Sequence, residues 1–246
     1  AMDSVAKYNR ANNAPSFELW RRMAHGRPEL GDPDVFCGRP DESMWMSFTT
    51  TINNNPDVLE YIQRFTTNHP GGGALVTFCE SAWRLSIVVA RQPHFKNQPD
   101  DTNIFWGYSL NMFTDGDYVK KPMCKCTGRE IMTELFGHLH VPEKQYSDMM
   151  RGVICRTCIM PYITSQFQPR HPGNRPDVNP NGYENLGFVS QFAEQPDDVV
   201  FTVEYSVRAA QRAVYYLMGL DKELTPINKH QYSPSVLLKS FFKLHS

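Results

Sequence analysis

Asn185-Leu-Gly-Phe-Val-Ser-Gln-Phe192, running on into Asp197-Asp-Val-Val-Phe-Thr-Val-Glu-Tyr-Ser-Val-Arg208, is the stretch whose reading decides the fold. The apolar residues from Leu186 to Phe192 predict a buried strand, and residues 193–196, ending in Pro196, cannot continue it. Beyond them the period changes. Val203, Val207, Ala210, Val214 and Leu217 recur at helical spacing, the stripe of an amphipathic helix that Gly219 ends. Asp197 and Asp198 precede it, where carboxylates suit the positive end of the helix dipole. A helix start delivered by a buried strand can offer N–H groups to an anionic or electron-rich ligand edge, although many such junctions bind nothing.

The chain has 246 residues, 41% hydrophobic and 21% charged, with a net charge of −1, the composition of a globular protein with a substantial core. Near-neutral charge without a Lys/Arg cluster argues against a nucleic-acid surface. No apolar run approaches a membrane span, no secretory pattern opens the chain, and a cytoplasmic protein is expected. Of the six cysteines, Cys124, Cys126, Cys155 and Cys158 invite comparison with a four-thiolate metal site. A strand through residues 153–160 would send Cys155 and Cys158 to opposite faces, so buried or idle thiols are favoured and no metal ligand is assigned.

Residues 1–15 read as a flexible lead-in, followed by a short helix capped by Ser16 that carries Phe17, Leu19, Trp20 and Met23. Residues 45–52 alternate as a strand. Asn53-Asn-Asn-Pro56 stops it and starts a helix with Val58, Leu59, Ile62 and Phe65 inward. Gly71-Gly-Gly73 is a connector. Residues 75–78, 83–90 and 104–110 form further strands, and Thr127-Gly-Arg-Glu130 is a capping box that sends Ile131, Leu135 and Leu139 inward. A helical stretch over 142–151 leads to a buried strand around Cys155, and Ser233 caps a C-terminal amphipathic helix over 233–246 that should pack on something. The class is mixed α/β, a mixed sheet with flanking helices and a helical tail. No Gly-x-Gly-x-x-Gly occurs, so an autonomous dinucleotide-binding unit is not encoded.

Two strand ends could carry chemistry. Arg91, Gln92 and His94 bring a cation, an amide and an imidazole to one of them, a set suited to a carboxylate. Tyr162, Thr164 and Gln166 bring hydrogen-bonding groups to another. At both, a solvated strand end or ordinary turn chemistry is the plainer reading. No nucleophile elbow and no helix with paired metal-binding His is present.

Arg91-Gln-Pro-His-Phe95, Phe105-Trp-Gly-Tyr108, Tyr118-Val-Lys-Lys-Pro-Met123, Thr127-Gly-Arg-Glu-Ile131, Met160-Pro-Tyr-Ile-Thr-Ser-Gln-Phe167 and the segment from Pro196 to Arg208 together resemble the oleate hydratase family, also called myosin-cross-reactive antigens. The resemblance runs from about Phe17 to Leu238 and is to the C-terminal part of such an enzyme. It implies a hydro-lyase that adds water to the cis double bond of a long-chain unsaturated fatty acid. The family's FAD acts structurally or electrostatically, with no net redox change. Its Gly-rich FAD loop and catalytic Glu and Tyr lie in an N-terminal half that has no counterpart here, so no catalytic residue is transferred and catalysis by this chain alone is doubtful.

The resemblance implies that Gln191, Phe192, Phe201, Thr202, Val203 and Ser206 are FAD contacts and that His94 helps to anchor the fatty-acid carboxylate, with Arg91 and Gln92 beside it. Some members carry Thr and Asn where this chain has Val88 and Ala90, which removes part of that anchor. The expected main body is residues 16–232. Its expected partners are the fatty acid and an N-terminal-half polypeptide or a second copy of the chain. Two alternatives remain, a non-catalytic fatty-acid or flavin carrier or regulator, and a truncated homologue turned to another reaction on a lipid-like substrate.

Overall fold

Trp45–Asn53 (β1) shows why the sheet forms where it does. In the computed structural model, which describes residues 15–72, 75–198, 200 and 202–245, its Met46, Phe48, Thr50 and Ile52 are buried while their neighbours are half-buried or exposed. This is the two-residue period of a strand with one covered face. The expected lead-in lies outside the described residues except for its last position, as do Gly73 and Phe201. The chain divides into two units, Ala1–Glu18 with Cys37–Ser165, and Leu19–Phe36 with Gln166–Ser246. The boundary falls within α1 (Pro15–Ala24).

The first unit is built on a five-stranded sheet in the order β2-β3-β4-β1-β5, every pair antiparallel, where β2 is Leu75–Thr77, β3 Leu85–Val88, β4 Thr102–Ser109 and β5 Val153–Met160. Gly107, between Phe105 and Tyr108 in one of the recognised motifs, has a packing reason. A Cβ there would lie 2.4 Å from the Ser86 carbonyl and 2.5 Å from the Phe48 ring. Helices Asp57–Thr66 (α3) and Gly128–His138 (α4) supply Val58, Ile62, Ile131, Leu135 and Phe136 to one core with Phe48, Ile52, Trp83, Ile87 and Phe105. The short helices Asp34–Cys37 (α2) and Tyr146–Met149 (α5) flank them in sequence.

Phe65, expected inward on α3, is instead 44% exposed. The strand around Cys155 is also less buried than expected. β5 is an edge strand, and it leaves Ile154, Arg156, Thr157 and Cys158 exposed while Cys155 is half-buried.

The Thr127 capping box forms as the sequence predicts. Thr127 Oγ1 accepts from Glu130 N at 3.3 Å, and Glu130 Oε2 accepts from Thr127 N at 2.6 Å. Lys121 Nζ reaches Glu130 Oε1 at 2.7 Å. The Lys121 ammonium first, and the Thr127 N–H second, hold the Glu130 carboxyl down at about 2. A depressed folded value means that Glu130 adds stability above its ordinary 4.5 and loses it as pH falls toward 2. The thermal midpoint should therefore drop across this window, and Glu130→Gln should flatten the slope. An unchanged slope would show that the partly exposed pair is screened out.

In the second unit, helix α6 (Val203–Leu217) is present, but residues 185–192 form no strand. Ser190 takes φ 87°, which breaks the extended run. The segment is held instead by Phe188 N donating to Val178 O at 2.7 Å and by a parallel bridge between Asp177 and Glu194. Its aromatic side chains join a cluster in which Trp20 lies 6.1 Å from Phe188 and Phe36 lies 5.5 Å from Phe192.

The face that α6 buries also differs from expectation. Tyr205, Ala209 and Ala213 point inward, whereas Val203, Val207, Val214 and Leu217 are 74%, 49%, 50% and 43% exposed. At 100° per residue the apolar stripe is turned about 120° from the buried face. Helix α7 (Pro234–Leu244) buries none of its residues. Among the described residues no helix is long and apolar enough to cross a membrane.

Candidate functional site

The start of α6 is fixed by Thr202, whose Oγ1 accepts from Tyr205 N at 3.3 Å. Asp197 and Asp198 are not the caps. Asp198 pairs with Arg208 at 3.0 Å and Asp197 with Lys229 at 2.6 Å. The reason is geometric. Thr202 directly precedes the first helical residue, whereas the two aspartates lie a full turn upstream, where basic side chains reach them.

One turn into the helix, the Tyr205 hydroxyl joins three separate segments of chain. It donates to Ala193 O at 2.7 Å and accepts from Gln195 N and Arg175 Nη1, both at 3.1 Å. Arg175 is 3% exposed, lies over the Phe36 and Tyr205 rings at 5.8 Å, and donates through Nη2 to Gln166 O at 2.8 Å. Burial pulls this guanidinium below its ordinary value, partly offset by Tyr205. The Gln195 side chain, also 3% exposed, has no partner at Nε2 or Oε1 among the described residues, and neither has Arg175 Nε. The sequence offers Tyr205 at the helix start and Arg175 in the preceding loop but not their pairing, because they lie 30 residues apart and no local pattern joins them.

The expected cofactor contacts differ in availability. Phe192 packs among Trp20 and Phe36, Gln191 and Ser206 are half-buried, Thr202 caps the helix, and Val203 faces solvent. Phe201 lies outside the described residues.

In the first unit, Gln92 is engaged in holding the loop after β3. Its Nε2 donates to Ala90 O and Ile104 O at 2.9 and 2.8 Å, and its Oε1 accepts from Ile104 N and Gln98 Nε2 at 3.1 and 2.8 Å. All four hydrogen-bonding positions of the amide are thereby filled, which leaves none for a ligand. Gln98 completes the clasp by accepting from His94 N at 2.8 Å. The clasp presents Arg91 and His94 as exposed side chains, while Val88 and Ala90 are half-buried.

Tyr162, at φ 57°, sets its ring edge-on to Phe17 at 5.2 Å, and Thr164 N donates to Ser43 O at 3.1 Å. Register separates these two groups. β3 leads into the Arg91 loop at the sheet end where Asn53 pairs with Thr102, whereas β5 leads into Tyr162 at the end where Trp45 pairs with Met160. The nine residues of β1 put roughly 25–30 Å between the two ends. They do not converge on one point. Gln166, in the second unit, is buried and gives its carbonyl to Arg175.

Comparison with known proteins decides the family. The model of the MCRA family matches residues 1–215. The chain belongs to that family. It is 39% identical over 250 residues to an oleate hydratase of Streptococcus pyogenes serotype M49 (strain NZ131), covering 98% of this chain and 42% of the relative. It is 33% identical over 247 residues to a linoleate hydratase of Lactiplantibacillus plantarum, covering 93% of this chain and 43% of the relative. The chain thus spans less than half the length of either protein. The mixed α/β structure, an antiparallel sheet with flanking helices, suits the C-terminal portion of such a family member.

Proposed function

We propose that this chain is the fatty-acid-binding and FAD-completing part of an oleate-hydratase-like enzyme, active only together with residues corresponding to the rest of its relatives' length. The observation that carries this reading is the outward apolar stripe of α6, which begins within the segment that the resemblance reads as flavin-facing and runs on beyond it. A stripe of Val203, Val207, Val214 and Leu217 left in solvent is the kind of surface that packs against another polypeptide. Arg91 and His94 are the proposed anchors of the fatty-acid carboxylate.

The chemistry at the start of α6 fits a flavin edge. Gln195 contributes a buried amide with both ends unpartnered among the described residues, and Thr202 and Ser206 add hydroxyls. These residues would hold the cofactor, which when bound supplies an electrostatic and structural surface for hydration with no net redox change. Gln195 would orient it, and the exposed stripe would exclude water once it is covered.

The test mixes this chain with the unmatched portion of the Streptococcus relative, then measures flavin uptake and hydroxy fatty acid formed from oleate. Neither protein alone should give product, and the mixture should. Val207→Lys with Val214→Lys should leave this chain folded and abolish the mixture's activity. Hydration by this chain alone would overturn the need for completion. Flavin or oleate binding without product from the mixture would favour the carrier role instead.

A further inference from the structure

Glu134 and His138 stand one turn apart on α4, and the turn over residues 115–122 folds back over them. Glu134 is fully buried. Its Oε1 accepts from Asp117 N at 2.6 Å, and its Oε2 accepts from Tyr118 N and Val119 N at 2.9 and 2.7 Å. Asp117 Oδ2 accepts from Ala82 N at 2.8 Å. After these bonds, Glu134 Oε1 and Asp117 Oδ2 each keep one lone pair.

His138 Nε2 lies 3.3 Å from the first of these oxygens and 3.4 Å from the second. The imidazole is 9% exposed, and its Nε2 is buried without a hydrogen-bond partner. Phe78 and Tyr118 hold the ring at 5.5 and 5.1 Å. His138 and Asp117 line a cavity of about 630 Å³ that Cys79, Glu80 and His140 also border.

The spacing leaves room for an ion between the three groups. Charge-assisted hydrogen bonds from an imidazolium to carboxylates run about 2.7–2.9 Å. A tetrahedral zinc ion with bonds of about 2.0–2.2 Å sets its ligand atoms about 3.3–3.5 Å apart. The observed 3.3 and 3.4 Å are longer than such charge-assisted bonds and compatible with the second spacing, and all three ligand atoms lie within 4.8 Å of one another. Among the described residues no other group of three His, Cys, Asp or Glu side chains is placed to hold an ion.

We propose that Asp117, Glu134 and His138 form a binding site for one divalent transition-metal ion, zinc in the first instance, with an open coordination position facing the cavity. Two carboxylates and a neutral imidazole bring two negative charges that such an ion balances. The bound ion ties the turn over residues 115–122 to the end of α4.

Zinc titrated into the EDTA-dialysed full chain in a calorimeter should bind one to one. Cobalt should give visible bands of nitrogen and oxygen ligation without thiolate charge transfer. Loss of a residue that merely supports a metal ligand costs 10–100-fold, so Asp117→Asn and His138→Gln should each weaken zinc by about 100-fold or more. Asp117 has 41% of its side chain exposed, and asparagine keeps an oxygen for Ala82 N, so this variant should fold even if His138→Gln does not. Cys79→Ser and His140→Gln should leave binding unchanged. The proposal is overturned if the folded chain takes up no zinc at millimolar concentration, if Asp117→Asn binds as tightly as the parent, or if thiolate bands accompany cobalt.

Discussion

Glu134→Ala should lower the unfolding free energy by about 3 kcal/mol in EDTA, where metal makes no contribution. The carboxylate is the acceptor for three consecutive backbone N–H groups, those of Asp117, Tyr118 and Val119. The chain wraps it tightly. A Cβ on Gly116 would come within 2.7 Å of Oε2. Alanine leaves three donors facing a void, and each buried donor without a partner costs about 1–3 kcal/mol. Relief from burying a charge offsets part of this sum.

The thermal midpoint should fall by roughly 6–12 °C, read by circular dichroism, and the amides of residues 117–119 should exchange faster. Glu134→Gln keeps one acceptor oxygen but turns an NH₂ toward donors, so it should recover about half the loss. Burial pushes the Glu134 carboxyl up, but His138 and the three N–H groups outweigh it and hold it below its ordinary value. Its stabilisation is therefore present above the ordinary carboxylate range and is lost as pH falls through the depressed value. Glu134→Ala should lose least against the parent in acid. A loss under 1 kcal/mol at neutral pH would show that water replaces the carboxylate in the turn.

Whether a feature could be read in the sequence depended on whether its cause is local. The alternation of Met46, Phe48, Thr50 and Ile52 declares β1 because one strand face meets one core, and the Thr127 box declares α4 because cap and partner lie three residues apart. Residues 186–192 looked like a strand because an apolar run carries no information about whether a neighbouring strand exists to pair with it. Here Phe188 and Phe192 satisfy their burial in an aromatic cluster and need no ladder. The α6 stripe was legible as a helix period. Its direction was not, since periodicity fixes which residues share a face and leaves open what that face meets.

The candidate sites divide in the same way. Arg91 and His94 sit in one loop, as their adjacency requires, but Gln92 between them is used up by Ile104 and Gln98, pairings that only strand register creates. Glu134 and His138 lie four residues apart, but nothing in the sequence singles them out, because Asp117 reaches them only through a turn folded back over 17 residues.

Tyr205→Phe isolates the corresponding long-range network in the second unit, because it deletes one oxygen and keeps the ring. Tyr205 is 1% exposed, so water does not readily take the place of the hydroxyl. Ala193 O loses its donor, and Gln195 N and Arg175 Nη1 lose their acceptor. Three buried polar groups left open, one of them on a guanidinium, should cost about 2–4 kcal/mol. The phenylalanine ring still packs under Arg175, so cation–π contact limits the loss. Faster amide exchange should concentrate at Gln195 and in the first turn of α6, with residues 117–119 unaffected, because the Glu134 network belongs to the other unit. Under the proposed function, flavin uptake by the mixture with the missing portion should weaken as well, since Gln195 would no longer be held in place before the helix. Parent-like stability with parent-like exchange at Gln195 would show that residues 193–195 are held by Glu194 N bonding to Pro176 O and by the Asp177 bridge, with the tyrosine hydroxyl incidental.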